Sequence, residues 1–124
     1  MNIALWVVSI VLALAFIAAG GLKLVRPKEQ LVDKMAWVAD ATQGQVRTVG
    51  ALEVLGGLGL VLPGLTGIAP VLVPLAAVGL FLMMIGAVVV HVRMGDSIGH
   101  AAPAIILALL CAFVAWGRFG PYPL

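Results

Sequence analysis

The sequence predicts an all-α integral membrane protein, a bundle of four transmembrane helices. Of its 124 residues, 64% are hydrophobic and only 10% are charged, whereas soluble domains are about half apolar and about a quarter charged. Turn-forming and charged segments divide this apolar sequence into four runs of about the length needed to cross a bilayer. We therefore expect one membrane domain over residues 1–124, with the lipid bilayer as its surroundings.

The boundaries of the spans follow from charge and from turn chemistry. Arg26 and Pro27 end the first apolar run, which lacks the basic start of a signal peptide and is expected to be retained. Residues 54–92 carry no charge, and a single helix of that length would measure nearly twice the bilayer core at about 1.5 Å per residue. The turn-forming residues at 62–67 divide this stretch. The predicted spans are residues 3–25, 47–62, 68–92 and 98–116.

The distribution of basic residues predicts the orientation in the membrane. One side of the predicted bundle carries six basic residues and the other side carries only Arg118. The positive-inside rule then places the connections at 26–47 and 93–98 in the cytoplasm and both termini outside. We expect a multi-pass protein of the plasma membrane, of the bacterial inner-membrane type. Aromatic residues at the predicted outer interface are Trp6, Trp116 and Tyr122.

Residues 28–40 connect the first two spans and are polar overall. Leu31, Met35 and Val38 recur in them at helical spacing, which favours a short amphipathic helix in the headgroup region. An irregular connector is the alternative interpretation.

Four ionisable residues lie within the spans, towards the predicted cytoplasmic end: Lys23, Glu53, His91 and His100. Such groups are costly in a membrane, which makes them candidates for function. Side chains lean towards the N-terminus of their helix, so the four can converge from helices of alternating direction. Phe16, Met83 and Met84 lie one to two turns deeper and are predicted to line the tail of an amphiphilic ligand held by this cluster.

Each member of the cluster also has a purely structural interpretation. Lys23 and Glu53 can form a buried ion pair that locks two helices together, and His91 and His100 can hydrogen-bond headgroups or loop carbonyls. Two histidines do not indicate haem, and we expect neither a metal site nor a catalytic residue. Cys111 is the sole cysteine. One cysteine cannot form a dithiol redox pair within one chain, and we expect it to fill the core.

Small side chains recur beside the ionisable ones and predict which helix faces pack closely in lipid. The predicted packing faces are Ala15, Ala19 and Lys23 on the first helix; Gly50, Glu53 and Gly57 on the second; Gly79, Met83, Ala87 and His91 on the third; and His100, Ala104, Ala108 and Ala112 on the fourth.

No basic run with interleaved aromatics occurs, so nucleic acid is not an expected partner.

The order of these features resembles the DoxX-like family of small four-helix membrane proteins, over almost the whole chain. The residues that carry the resemblance are Phe16-x-x-x-Gly20-x-x-Lys23, Gly50-x-x-Glu53 and His91.

The resemblance implies a membrane subunit, not an autonomous enzyme, that binds a quinone-like or other amphiphilic ligand. It also implies support of a membrane redox complex, such as a thiosulfate:quinone oxidoreductase, with a soluble redox partner. A non-catalytic lipid-binding or transport protein and a pure membrane scaffold stay open as alternatives, as does a homo-oligomer.

The predicted orientation can be checked with reporter fusions. An alkaline phosphatase fused after residue 124 should be active, and a green fluorescent protein fused there should stay dark, because the rule places this end outside the cytoplasm. The opposite pair of results would show that the orientation is inverted.

Overall fold

The computed structural model describes residues 2–25, 43–93 and 98–123. Each helix in these ranges contains a stretch long and apolar enough to cross a membrane, and the described residues contain no strand. The predicted class, an all-α four-helix membrane bundle, is confirmed. The amphipathic segment predicted over residues 28–40 lies outside the described residues. The helices are α1 (Asn2–Val25), α2 (Gln43–Thr66), α3 (Leu72–Arg93) and α4 (Ile98–Phe119).

The end of α2 corrects the predicted turn at residues 62–67. Pro63 lies inside the helix, which continues to Thr66. A proline here removes only one backbone hydrogen bond near the helix end, which a membrane helix tolerates. The helix ends instead at Gly67, whose φ is 72° and whose amide donates to the Pro63 carbonyl at 3.0 Å. Glycine adopts this left-handed conformation readily, which makes it a common helix C-cap.

The start of α3 differs from the predicted residue 68 for the same reason. The turn occupies residues 67–71, and the Leu72 amide donates to the Ala69 carbonyl at 2.9 Å. Pro74 lies in the first turn of α3, where its missing N–H is not needed. At the other boundaries, α2 begins four residues earlier than predicted and α4 ends three residues later.

The four helices form an up-down-up-down bundle built from two closely packed hairpins. α1 packs mainly on α2 and α3 mainly on α4, while the α2–α3 and α1–α4 contacts are smaller. Lys23 near the end of α1 contacts Glu53 on α2, and we call this end of the bundle the charged end. Asn2 at the start of α1 contacts Arg118 on α4, which defines the Arg118 end.

The core and the outer surface of the bundle are both apolar. Cys111 is free and fully buried in the core, as the sequence predicts. Outside the core, every helix presents a leucine that is about two-thirds exposed. Exposing these side chains to water would be unfavourable, whereas contact with lipid tails is not. The four outward leucines are Leu14, Leu55, Leu82 and Leu109.

Glycines bring α1 and α2 into backbone contact. A Cβ built on Gly20 would lie 2.5 Å from the carbonyl oxygen of Gly50, and one built on Gly57 would lie 3.1 Å from that of Ala13. No side chain larger than hydrogen fits between backbones this close. The packing face predicted on α2 is therefore confirmed, with Glu53 on the same buried face.

The packing face predicted on α1 is wrong at its two alanines and right at Lys23. Ala15 is exposed and Ala19 only half-buried, whereas Phe16, Gly20 and Lys23 are buried. Large and small residues alternate on the true face, so spacing of alanines alone selects the wrong side of the helix. On α4 the predicted Ala104 and Ala108 are buried.

Contacts of Arg118 stabilise the packing of α1 on α4 at the Arg118 end. Arg118 is 4% exposed, and its Nη1 donates to Asn2 Oδ1 at 2.6 Å and to the Tyr122 carbonyl at 3.0 Å. Its guanidinium carbon lies 5.6 Å from the centre of the Trp6 ring, a favourable cation–π distance. Arg118 thus joins the two ends of the chain instead of facing solvent as a helix-terminating charge.

The close approach of α1 and α2 predicts a large difference between two glycine substitutions. In Gly50→Ala the new Cβ would lie 2.7 Å from the Gly20 carbonyl oxygen and 2.8 Å from Lys23 Cβ. We expect this overpacking to lower the free energy of unfolding by about 1–3 kcal/mol. Gly21→Ala is the matched control, because nothing lies within 4 Å of its Cβ. Thermal unfolding in detergent measures both, and equal stabilities would contradict the contact.

Candidate ligand-binding site

The Lys23–Glu53 pair lies on either side of the point where α1 and α2 touch. Gly20 and Lys23 share one face of α1, and Gly50 and Glu53 share the facing side of α2, since residues three apart are neighbours on a helix. Both side chains lean towards the N-terminus of their own antiparallel helix, and therefore towards each other. The glycine contact thus determines where the two charges meet.

The two side chains are buried and contact each other directly. Lys23 Nζ donates a hydrogen bond to Glu53 Oε1, and the two residues are 7% and 3% exposed. An ammonium and a carboxylate removed from water require each other, because either one alone would be left uncompensated. This pairing is the structural interpretation of Lys23 and Glu53, and the structure realises it.

A cavity of about 370 Å³ lies beside the pair, between α2 and α3. Lys23 and Glu53 are its charged lining residues, and the remaining lining is apolar. Its volume falls within the range of about 300–1,000 Å³ that is typical of small-molecule sites. The lining residues are Lys23, Val49, Leu52, Glu53, Met83, Met84, Gly86, Ala87 and Val90.

The cavity opens sideways, towards the surroundings of the bundle. Leu52 on its α2 side is 50% exposed and Val90 on its α3 side is 39% exposed. Gly86 is exposed between them, with nothing within 4 Å of a built Cβ. In a bilayer, residues exposed at this opening would face lipid tails.

The structure brings four of the seven predicted site residues together. Lys23, Glu53, Met83 and Met84 line one cavity. Phe16 is 1% exposed and belongs to the hydrophobic core instead of the cavity lining.

The two histidines belong to helices that meet the charged end. His91 lies in the last turn of α3 and His100 in the first turn of α4. Their side chains lie outside the described part of the structure. Their convergence with the ion pair stays a prediction.

Other lining residues were not predicted from the sequence. Four of them are ordinary membrane-helix residues, and their identity does not show whether they line a cavity or face lipid: Val49, Leu52, Ala87 and Val90. Gly86 carries a weak signal, because a glycine within a helix costs about 1 kcal/mol relative to alanine and therefore suggests a packing or functional reason.

The ion pair gives the apolar cavity one hydrogen-bonding end whose net charge is zero. The ammonium of Lys23 offers donors beyond the one used by Glu53, and the carboxylate of Glu53 has further acceptor positions. The two charges cancel, so the pair offers no excess charge for an anionic headgroup. Among the described residues no group of three His, Cys, Asp or Glu is placed to hold a metal ion.

The fold and this site define a small multi-pass membrane protein with a buried ion pair beside a laterally open cavity. The sequence model of the DoxX-like family matches residues 7–114, most of the chain. The protein belongs to the DoxX-like family. No curated protein and no solved structure gives a significant match. The matched range contains both members of the ion pair and the whole lining of the cavity.

The ion pair predicts strongly non-additive effects of substitution. Glu53→Leu or Lys23→Met alone should lower the free energy of unfolding by about 3–5 kcal/mol, because each leaves one buried ionisable group that must stay charged without its partner or be neutralised at a cost. The double variant Lys23→Met/Glu53→Leu should recover most of this loss, since it leaves no buried charge. Denaturation of the four proteins in one detergent gives the coupling free energy. Additive losses would contradict the pairing.

Proposed function

We propose that this protein binds a membrane amphiphile with a neutral, hydrogen-bonding headgroup, such as a quinone, in the cavity between α2 and α3. One observation carries the proposal: the buried Lys23–Glu53 pair supplies the charged lining of an otherwise apolar cavity. A carbonyl or hydroxyl of the headgroup would hydrogen-bond this pair, and apolar walls would surround the ring or the first part of the tail.

Lateral access supports a lipophilic ligand over a water-soluble one. The cavity rim is formed by exposed apolar residues of two spans, including Leu52 and Val90. A water-soluble substrate would lose its hydration at such an entrance without gaining polar partners along it. A ligand already dissolved in the bilayer meets no such penalty.

The walls of the cavity suit a ligand of flexible shape. Met83 and Met84 adapt readily to irregular partners because their side chains are unbranched and polarisable. We assign them to the apolar part of the ligand. Phe16 and Met84 belong to the same core cluster, so we assign Phe16 a supporting role behind the wall. His91 and His100 are proposed to complete the headgroup site from the ends of α3 and α4.

Membership of the DoxX-like family favours a subunit that supports a membrane redox complex, with a soluble partner, over an autonomous enzyme. Within the described residues Cys111 is buried and free, which leaves electron transfer to the ligand or to the partner. We place the protein in the plasma membrane with the charged end inward. Lipid binding or transport without a redox role would retain the same cavity, and the identity of the bound molecule distinguishes the two.

Filling the cavity provides a test that leaves the ion pair intact. Leucine at Gly86, a lining residue of the cavity, would add side-chain volume at its opening with no clash at its Cβ. Mass spectrometry of molecules that co-purify in mild detergent should show a stoichiometric amphiphile on the wild type and at least a fivefold lower occupancy in Gly86→Leu. Gly21→Leu is the control, because it adds the same side chain on α1, away from the cavity lining.

Glu53→Gln tests the headgroup contact separately. It should reduce occupancy as well, because the amide lacks the charge that holds Lys23 in place. Equal occupancy in the wild type, Gly86→Leu and Glu53→Gln, each folded, would contradict the site and leave the scaffold function.

A further inference from the structure

A second apolar cavity continues the first along the seam between α2 and α3, towards the Arg118 end. It measures about 520 Å³, and its walls include Gly59 on α2 with Leu72 and Gly79 on α3. Every residue that lines it is apolar. We call it the seam groove.

The seam groove and the ion-pair cavity lie next to each other, and we call the two together the crevice. Leu52 and Met83 line both of them. From Val90 at the charged end to Leu72 at the other, the crevice follows α3 for roughly 27 Å at about 1.5 Å of rise per residue. This length is close to the roughly 30 Å of a bilayer core. A single molecule can therefore extend from the Lys23–Glu53 pair across most of the membrane without leaving the seam.

The groove is closed on one side by contacts between α2 and α3 and open on the other. At its floor the helices touch, because a Cβ built on Gly56 would lie 2.6 Å from Leu80 Cδ2 and one built on Gly59 would lie 2.9 Å from Ala76 Cβ. At its rim the helices leave open space, because nothing lies within 4 Å of a Cβ built on Gly79. The groove is thus a shallow trough with a closed floor and an open lipid side.

We propose that the seam groove holds the long hydrocarbon tail of the amphiphile whose headgroup lies at Lys23 and Glu53. This inference rests on the proposed headgroup site and adds the class of ligand, a neutral amphiphile with a tail long enough to follow α3 for several turns. The tail runs outward along the α2–α3 seam and not inward towards Phe16, whose position in the packed core leaves no room for it.

Two features favour a tail over a helix of a second copy. The groove adjoins the cavity whose described lining includes the charged pair, which gives the occupant one polar end and one long apolar end. Its volume is that of a small-molecule site, whereas a helix with its side chains is about 10–12 Å across. A helix could cover the rim but could not enter the trough.

Gly79→Leu tests the path of the tail. The substitution adds a side chain at the open rim of the groove, where it narrows the path of a tail without a clash at its Cβ, and Gly79 does not line the ion-pair cavity. The probes are two ubiquinones with the same headgroup, one with eight isoprene units and one with a single unit, measured by native mass spectrometry. Gly21→Leu is again the control.

We expect Gly79→Leu to weaken binding of the eight-unit ubiquinone about tenfold relative to Gly21→Leu. Loss of roughly 60 Å² of apolar contact suffices for such a change. Binding of the one-unit ubiquinone should change by less than about twofold, because its tail ends within the ion-pair cavity.

The outcomes separate the two proposals. If Gly86→Leu abolishes binding of both ubiquinones while Gly79→Leu affects neither, the headgroup site stands and the tail path is overturned. If Gly79→Leu instead changes the oligomeric state seen in the same spectra, the groove belongs to a second copy, and the tail path is again overturned. If the wild type binds neither ubiquinone, the quinone-binding function falls, and this inference falls with it.

Discussion

A charge placed in hydrocarbon must either find a partner or be neutralised, and Lys23 and Glu53 meet this requirement together. Their contact constrains the structure around it, because both side chains must reach the same point from antiparallel helices. Only glycines at positions 20 and 50 allow the backbones to approach closely enough. The ion pair and the glycine contact therefore depend on each other. The glycines bring the charges together, and the charges make separation of α1 from α2 unfavourable.

The tight α1–α2 seam contrasts with the looser α2–α3 seam, and this difference leaves the cavity beside the ion pair. On α2, the side that faces α1 carries Gly50 and Gly57 in close contact. The side that faces α3 touches it through Gly56 and Gly59, and the two helices leave a crevice between them beside Glu53. Because the crevice passes beside Glu53, we propose that the structural ion pair also serves as the polar end of a ligand site. A bundle packed equally tightly on all sides would have buried the same pair with no space beside it.

Sequence patterns predicted the four helices, the Lys23–Glu53 contact and the glycine face of α2, because membrane spans and intramembrane charges leave strong signals. They misplaced the turn after α2, since Pro63 looks like a helix breaker and is tolerated in a last turn. They also misjudged the packing face of α1, because large apolar residues suit core, cavity wall and lipid equally well. For the same reason they did not distinguish Phe16, which lies in the core cluster, from the residues that line the cavity. The role of Arg118 was missed, since its partners Asn2 and Trp6 lie at the far end of the chain.

The arrangement requires Glu53 to be an ionised partner of Lys23 within the bundle, and infrared spectroscopy of the membrane-embedded protein reports the protonation state of this carboxyl group. The difference spectrum between the wild type and Glu53→Gln should contain a carboxylate stretching band from Glu53 near neutral pH. The same comparison made in a Lys23→Met background should show that band replaced by the carbonyl band of a protonated carboxyl group. A protonated Glu53 in the wild type, or a carboxylate that persists without Lys23, would contradict the account.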